Sequence, residues 1–127
     1  MFKLMRYENA RLNVPEPIFH QADGTISIGE ALVLNGGKLA KCGTTTKPTH
    51  IAMGDSVNGK VAACLVNPNM VFEVPVTEAP ASLVVGNKVT ISSDGLGVTA
   101  TTASGVVTIE SLNGATAAGD SIVVRII

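Results

Sequence analysis

Hydrophobic and polar positions alternate with a period of two along much of the chain, and turn residues interrupt the alternation at short intervals. Glu30-Ala-Leu-Val-Leu34 is followed by Asn35-Gly36-Gly37 and then by Lys38-Leu-Ala-Lys-Cys42. Asn-Gly between alternating apolar runs predicts a hairpin, because both residues tolerate the positive φ of a tight two-residue turn. A loop over residues 43–48 leads to a short strand at His50–Met53. Asn58-Gly59 turns the chain into a strand over Lys60–Val66, Asn67-Pro68-Asn69 turns it again, and Met70–Val74 is the next strand. Pro75 and Pro80 flank a crossing segment, since proline has no N–H to give a central ladder. Beyond Ala81, strands are predicted at Leu83–Val85, Lys88–Ser92, Leu96–Ala100, Val106–Leu112 and Ser121–Ile126. Strands repeating every 8–12 residues or so, with turns between them, predict an all-β barrel or sandwich.

The first 25 residues show no such period. They carry many of the bulky groups (Phe2, Leu4, Met5, Tyr7, Leu12, Ile18 and Phe19), and Pro15 and Pro17 favour an extended path there. The predicted organisation is an extended N-terminal arm over residues 1–25 and a barrel-like domain over 26–127, with one set of strands in 26–78 and a second in 81–127. Two courses are open to the arm: along its own barrel, or onto a neighbour.

One short pattern recurs. Gly29-Glu-Ala-Leu-Val-Leu, Gly86-Asn-Lys-Val-Thr-Ile and Gly119-Asp-Ser-Ile-Val-Val each run glycine, polar, any, apolar, any, apolar, and Gly59-Lys-Val-Ala-Ala-Cys is a looser relative. Glycine permits a tight turn and the alternation then sends one side of a strand inward, so the pattern predicts barrel corners and no catalytic device.

Composition strengthens the all-β expectation. Sixteen Val, nine Ile and twelve Thr accompany thirteen Gly and six Pro, which excludes a helical bundle or long coiled coil. No apolar run approaches the roughly 20 residues of a membrane-spanning helix. Nine basic and ten acidic residues leave a net charge of −1, with no basic footprint for nucleic acid or an anionic membrane. Charged residues make up 15% of the chain against about 25% in ordinary soluble domains. So sparse a charge cover predicts that part of the surface lies against other protein chains. The opening Met1-Phe-Lys-Leu-Met-Arg-Tyr-Glu interleaves charges with apolar residues, unlike a secretory signal, so a cytoplasmic setting with reduced thiols is expected.

Candidate chemistry is thin. Cys64, inside an apolar strand, reads as a small core residue, and Cys42, beside Lys41, has no histidine or acid patterned next to it. His20 and His50 lack the close spacing of a metal pair. Glu73 and Glu78 stand alone, no serine sits in a nucleophile elbow, and the glycine-rich stretches lack a phosphate loop's Lys-Ser/Thr. No catalytic residue, metal or cofactor is expected. Sugar and single-strand binding usually need aromatic platforms, and this chain has one Tyr, three Phe and no Trp. Protein binding remains.

The succession Gly29-Glu-Ala-Leu-Val-Leu, Gly37-Lys-Leu, Lys47-Pro48 with Ile51-Ala-Met, Gly59-Lys-Val-Ala and Met70-Val-Phe-Glu-Val74 resembles the head decoration, or capsid cement, proteins of tailed bacteriophages over about half the chain. The resemblance implies a small β-barrel or β-tulip module that trimerises and sits on the outer face of a capsid assembled in the host cytoplasm, with the major capsid protein as partner. It implies a capsid-contacting arm: Phe2, Leu4, Tyr7 and Leu12 as apolar anchors, with Lys3, Arg6 and Arg11 meeting acidic capsid surface. The alternative is a ligand-binding or host-adhesion β-module displayed on a virion or cell surface.

Overall fold

The computed structural model describes residues 1–8 and 17–127, and among these every regular element is a strand. In chain order they are β1 (Lys3–Tyr7), β2 (Ile18–Ala22), β3 (Ala31–Asn35), β4 (Lys38–Lys41), β5 (His50–Ala52), β6 (Lys60–Leu65), β7 (Met70–Pro75), β8 (Lys88–Val89), β9 (Val107–Ser111) and β10 (Ser121–Arg125). Five of them close a barrel in the order β2-β4-β3-β5-β6. The others form an antiparallel sheet in the order β1-β7-β10-β9-β8. The fold is all-β, with a small closed barrel at its centre.

Alternation explains how the two units pack. In β3, β5 and β6 one set of residues (Leu32, Ala52, Val61, Ala63) fills the barrel together with Ile26 and Leu39. The opposite set (Ala31, Ile51, Cys64) points outward and packs on the sheet residues Phe72, Val74, Ile109, Ile122 and Val124 in one larger core. A strand of period two thus serves two cores at once. β7 lies between β1 and β10 and is apolar at every position but Glu73 and Pro75.

The hairpin over Asn35–Lys38 forms as predicted, with Gly36 and Gly37 both at positive φ. The recurring glycine pattern has a definite geometry. At Ser27–Glu30, Val84–Asn87 and Ala117–Asp120 the fourth residue's N–H bonds the first residue's carbonyl (3.2, 3.1 and 3.2 Å), while the third residue, glycine, has φ of 78°, 92° and 91°. That is the signature of a type II turn. In each, the polar side chain after the glycine accepts the first residue's N–H: Glu30 from Ser27 at 2.8 Å, Asn87 from Val84 at 3.0 Å, Asp120 from Ala117 at 3.0 Å. Only the first turn feeds the barrel; the other two enter the sheet, so the motif marks strand entry and not barrel corners alone.

Several expectations are corrected. Residue 25 is no structural boundary: β2 is a barrel strand, β1 an edge strand of the sheet, and β7 pairs with β1 and β10 instead of joining the barrel strands before it. No strand forms at Leu83–Val85, which is drawn into the second type II turn. Leu96–Ala100 makes only isolated bridges, from Val98 to Val76 and Ile91. The ladder is broken there because Ile91 gives its N–H to Thr44 and the Ser92 hydroxyl accepts from Gly97 N–H. Side-chain hydrogen bonds of this kind compete with strand pairing.

Candidate interaction surface

The leading segment is tied to the chain's own body. Phe2 is 3% exposed, meets Phe72 edge to face at 6.1 Å between ring centroids, and donates its N–H to Gly29 at 2.8 Å. Phe2 is therefore an anchor of the larger core and not of a partner surface, which corrects the expectation for that residue. Leu4 and Tyr7 are half-buried against the same core. Strict alternation would place Phe2, Leu4 and Arg6 on one face. A bulge resets the phase: Leu4 pairs Phe72 and Arg6 pairs Val71, leaving Met5 extra, so that Tyr7 turns inward in place of Arg6. The bulge also erases the period-two signal from the sequence.

What the strand leaves exposed is Lys3, Met5 and Arg6. The Arg6 guanidinium is occupied by Glu8, at 2.8 and 3.2 Å to one carboxylate oxygen. Arg125 closes the same end of the sheet: it reaches Glu8, donates to Glu110 at 2.7 Å and to the Pro68 carbonyl at 3.0 Å. These contacts tie β1, β9, β10 and the turn before β7 together. The Arg6 and Arg125 guanidiniums, in that order, hold the Glu8 carboxyl below its ordinary range. Arg11 and Leu12 lie outside the described residues.

Four strongly exposed apolar groups sit on and beside the β2–β6 side of the barrel, Phe19 at 73%, Val57 at 65%, Leu65 at 64% and Ile18 at 58%, while Val85 at 61% and Val84 at 59% lie in the turn before β8. Phe19 pairs Ala62 across the ladder, so both lie on the barrel's outer face. With Val57, Gly54 and Asn58 they rim an open hollow of about 680 Å³ that Asp55 and Lys60 also line. Val57 is held there because it and Lys60 exchange backbone hydrogen bonds around the Asn58-Gly59 turn. A second, smaller hollow of about 180 Å³, almost wholly apolar, lies where Met1, Phe2 and Leu4 meet Ile28, Ile51 and Met53. Phe19 and Ile18 were visible in the sequence as bulky groups. Their exposure was not, because it follows from which strands flank β2.

His20 and His50 meet inside the barrel, 5.1 Å between ring centroids, with His50 Nδ1 at 2.8 Å from the Thr49 hydroxyl. Nothing in their sequence separation signalled that contact. Both cysteines are free and buried, and burial pushes the Cys42 thiol up to about 11. Lys41 does not activate it: that ammonium pairs with the buried Glu30 carboxylate at 3.3 Å. Among the described residues no group of three or more metal-ligating side chains comes together. Among the described residues no helix is long and apolar enough to cross a membrane. No family model and no curated protein matches the chain.

Proposed function

We propose that this chain is a structural virion protein that decorates a bacteriophage head, binding the outer face of the capsid lattice and stabilising it. The observation that carries this reading is the apolar barrel face around Phe19, Val57 and Ala62, borne by a chain with few charges. Large apolar groups left in water on one side of a rigid body mark a surface made for another protein. The likeness of Gly29–Glu78 to capsid cement proteins supplies the partner class, the major capsid protein, and a trimeric arrangement suited to three-fold lattice positions. Binding only the assembled lattice stabilises it by mass action, and many copies on one lattice add multivalency.

The contact surface proposed is no longer the whole arm. Phe2, Leu4 and Tyr7 are engaged with the body, so the arm's share falls to Lys3, Met5 and Arg6, beside the barrel face. Removing residues 1–19 would take away β1 and half of the predicted contact at once, so surface substitutions are the sharper test. Phage heads, DNA-filled and empty, are incubated with the wild type and with Phe19→Ser/Val57→Ser, then sedimented and imaged. Wild type is expected to co-sediment with added density at lattice positions, and the double variant to bind at least about tenfold more weakly, the loss of roughly 1.4 kcal/mol. Absence of binding by a folded wild type to any head sinks the proposal.

A second reading has one observation in its favour. The hollow of about 680 Å³ beside Phe19 falls in the size range of small-ligand sites, roughly 300–1,000 Å³. Under that reading the chain is a ligand-binding or host-adhesion module, and glycan-array binding by the isolated protein, abolished by Phe19→Ser, is its expected result.

A further inference from the structure

His20 and His50 are the chain's two histidines, and the barrel brings both of them inward at the same end. They belong to β2 and β5, the two neighbours of β6. In register with them on β6 stand Val61, opposite His20, and Leu65, opposite His50, with Ala63 between. The small Ala63 side chain leaves the room in which the rings touch. His50 is 9% exposed, and His20 Nε2 is buried with no hydrogen-bond partner among the described residues.

The charged groups of the surrounding strands do not compensate this pair. β3 presents Leu32, opposite His50. On β4, Leu39 fills the interior, Lys38 is exposed at the strand end, and Lys41 is drawn to Glu30, whose other oxygen accepts from Ser27 N–H. Lys60 of β6 is exposed, and Cys64 belongs to the other core. Lys47, ahead of β5, and Asp23, after β2, are exposed loop residues. No ion pair or hydrogen bond joins either ring to a carboxylate among the described residues.

The barrel is also unevenly closed. β2 pairs with β6 over four residues, from Ile18 to Gln21, but with β4 over only two, Gln21↔Lys38 and Ala22↔Leu39, in parallel; β3 and β5 also pair over two, but backbone bonds from Thr49 to Leu32, Ala52 to Glu30 and Gly29 to Ala52 carry that pairing on at both ends. The Asp23 N–H to Leu39 carbonyl bond, 2.8 Å, finishes that seam.

We propose that the histidine pair is an acid-sensitive latch: protonation of His50, against the His20 ring, opens the barrel at the β2–β4 seam while the five-stranded sheet stays closed. An imidazolium at His50 would lie against the His20 ring, 5.1 Å between centroids, in an apolar interior with no carboxylate to compensate it. Burial, and after it the neighbouring His20, hold the His50 pKa below its ordinary value. The sign follows. A histidine with a depressed folded pKa binds its proton more readily once released, so its contribution is intact above about pH 6.5 and is lost as pH falls through that value.

Amide hydrogen exchange of the full chain, read by NMR at pH 7.5 and 5.5 and corrected for intrinsic rates, tests the latch. Protection at Asp23, on the seam, is expected to fall at least about tenfold relative to Val124 in the sheet. In His20→Phe/His50→Phe, or His20→Gln if the double variant does not fold, that relative loss is expected to shrink or vanish. Equal protection at the two sites at both pH values overturns the proposal. So does a uniform loss across barrel and sheet, or a seam-specific loss that persists undiminished in the variants, which would assign it to another group such as the Met1 amine.

Discussion

The barrel and the sheet are built from the same strand-forming residues, yet they are packed very differently. The sheet shares with the barrel's outer wall a core that holds Phe2, Phe72, Met70, Leu83 and fourteen further buried side chains, most of them β-branched. The barrel interior holds Ile26, Leu32, Leu39, Val61 and two alanines, has no Phe or Tyr, and adds a histidine pair where more hydrocarbon would fit. The sheet is clasped at one end by Arg125, whereas the barrel is closed along one side by two parallel residue pairs. The lesson is that closure of a barrel removes open edges without guaranteeing a strong seam. Burial in this molecule is concentrated where the two units meet, and the proposed latch releases the barrel's far wall, β2. That wall also carries Phe19, the largest apolar group of the proposed contact face.

The largest effect should come from the shared core. Phe72 is buried and is the ring on which Phe2 rests, so Phe72→Ala is expected to cost about 3–5 kcal/mol and to loosen β1 as well. Denaturant unfolding should show the midpoint falling for barrel and sheet probes together. A midpoint that falls for the sheet alone would mean that the two units are not one cooperative body.

Leu39→Ala breaks the comparison from the other side. Leu39 is fully buried in the barrel and pairs with Ala22 at the seam. A loss of about 2–5 kcal/mol is expected, toward the lower end because the loosely closed wall can collapse into the space. Hydrogen exchange should show β2 losing protection more than β7; equal losses would contradict a weak seam.

Asn87→Ala removes the side-chain acceptor of a type II turn at the sheet's edge, leaving the glycine in place. About 0.5–1.5 kcal/mol is expected, and Asn87→Asp, which keeps an acceptor, should restore most of it in thermal unfolding. Recovery failing in the aspartate would mean that the amide acts by something other than accepting the Val84 N–H.

Phe19→Ser should be the mildest. The ring is largely in water, so stability is expected to change by no more than about 0.5 kcal/mol. A larger drop in the melting transition would show that Phe19 packs on something in the isolated chain, and would weaken its assignment to a partner surface.

The hairpin at Asn35–Lys38 and the strands β3 to β7, β9 and β10 were legible because each couples period-two alternation to a turn signal within a few residues. β1 was not, because its bulge puts two exposed positions, Met5 and Arg6, side by side. β2 was not, because Ile18 and Phe19 are adjacent bulky residues, both exposed, with no alternation to read. The failed strands at 83–85 and 96–100 have the right residues and the wrong neighbours: Asn87 and Ser92 spend the backbone N–H groups on turns.

The amino-acid sequence by itself determined the class of the fold and several of its turns, since both follow from local backbone preference and residue type. Only the tertiary structure decided which strands close the barrel and which join the sheet, that Phe2 is buried while Phe19 is bare, and that two histidines thirty residues apart touch. Those outcomes depend on pairing between distant segments, where register and burial are selected by the whole core at once and no local pattern carries the choice.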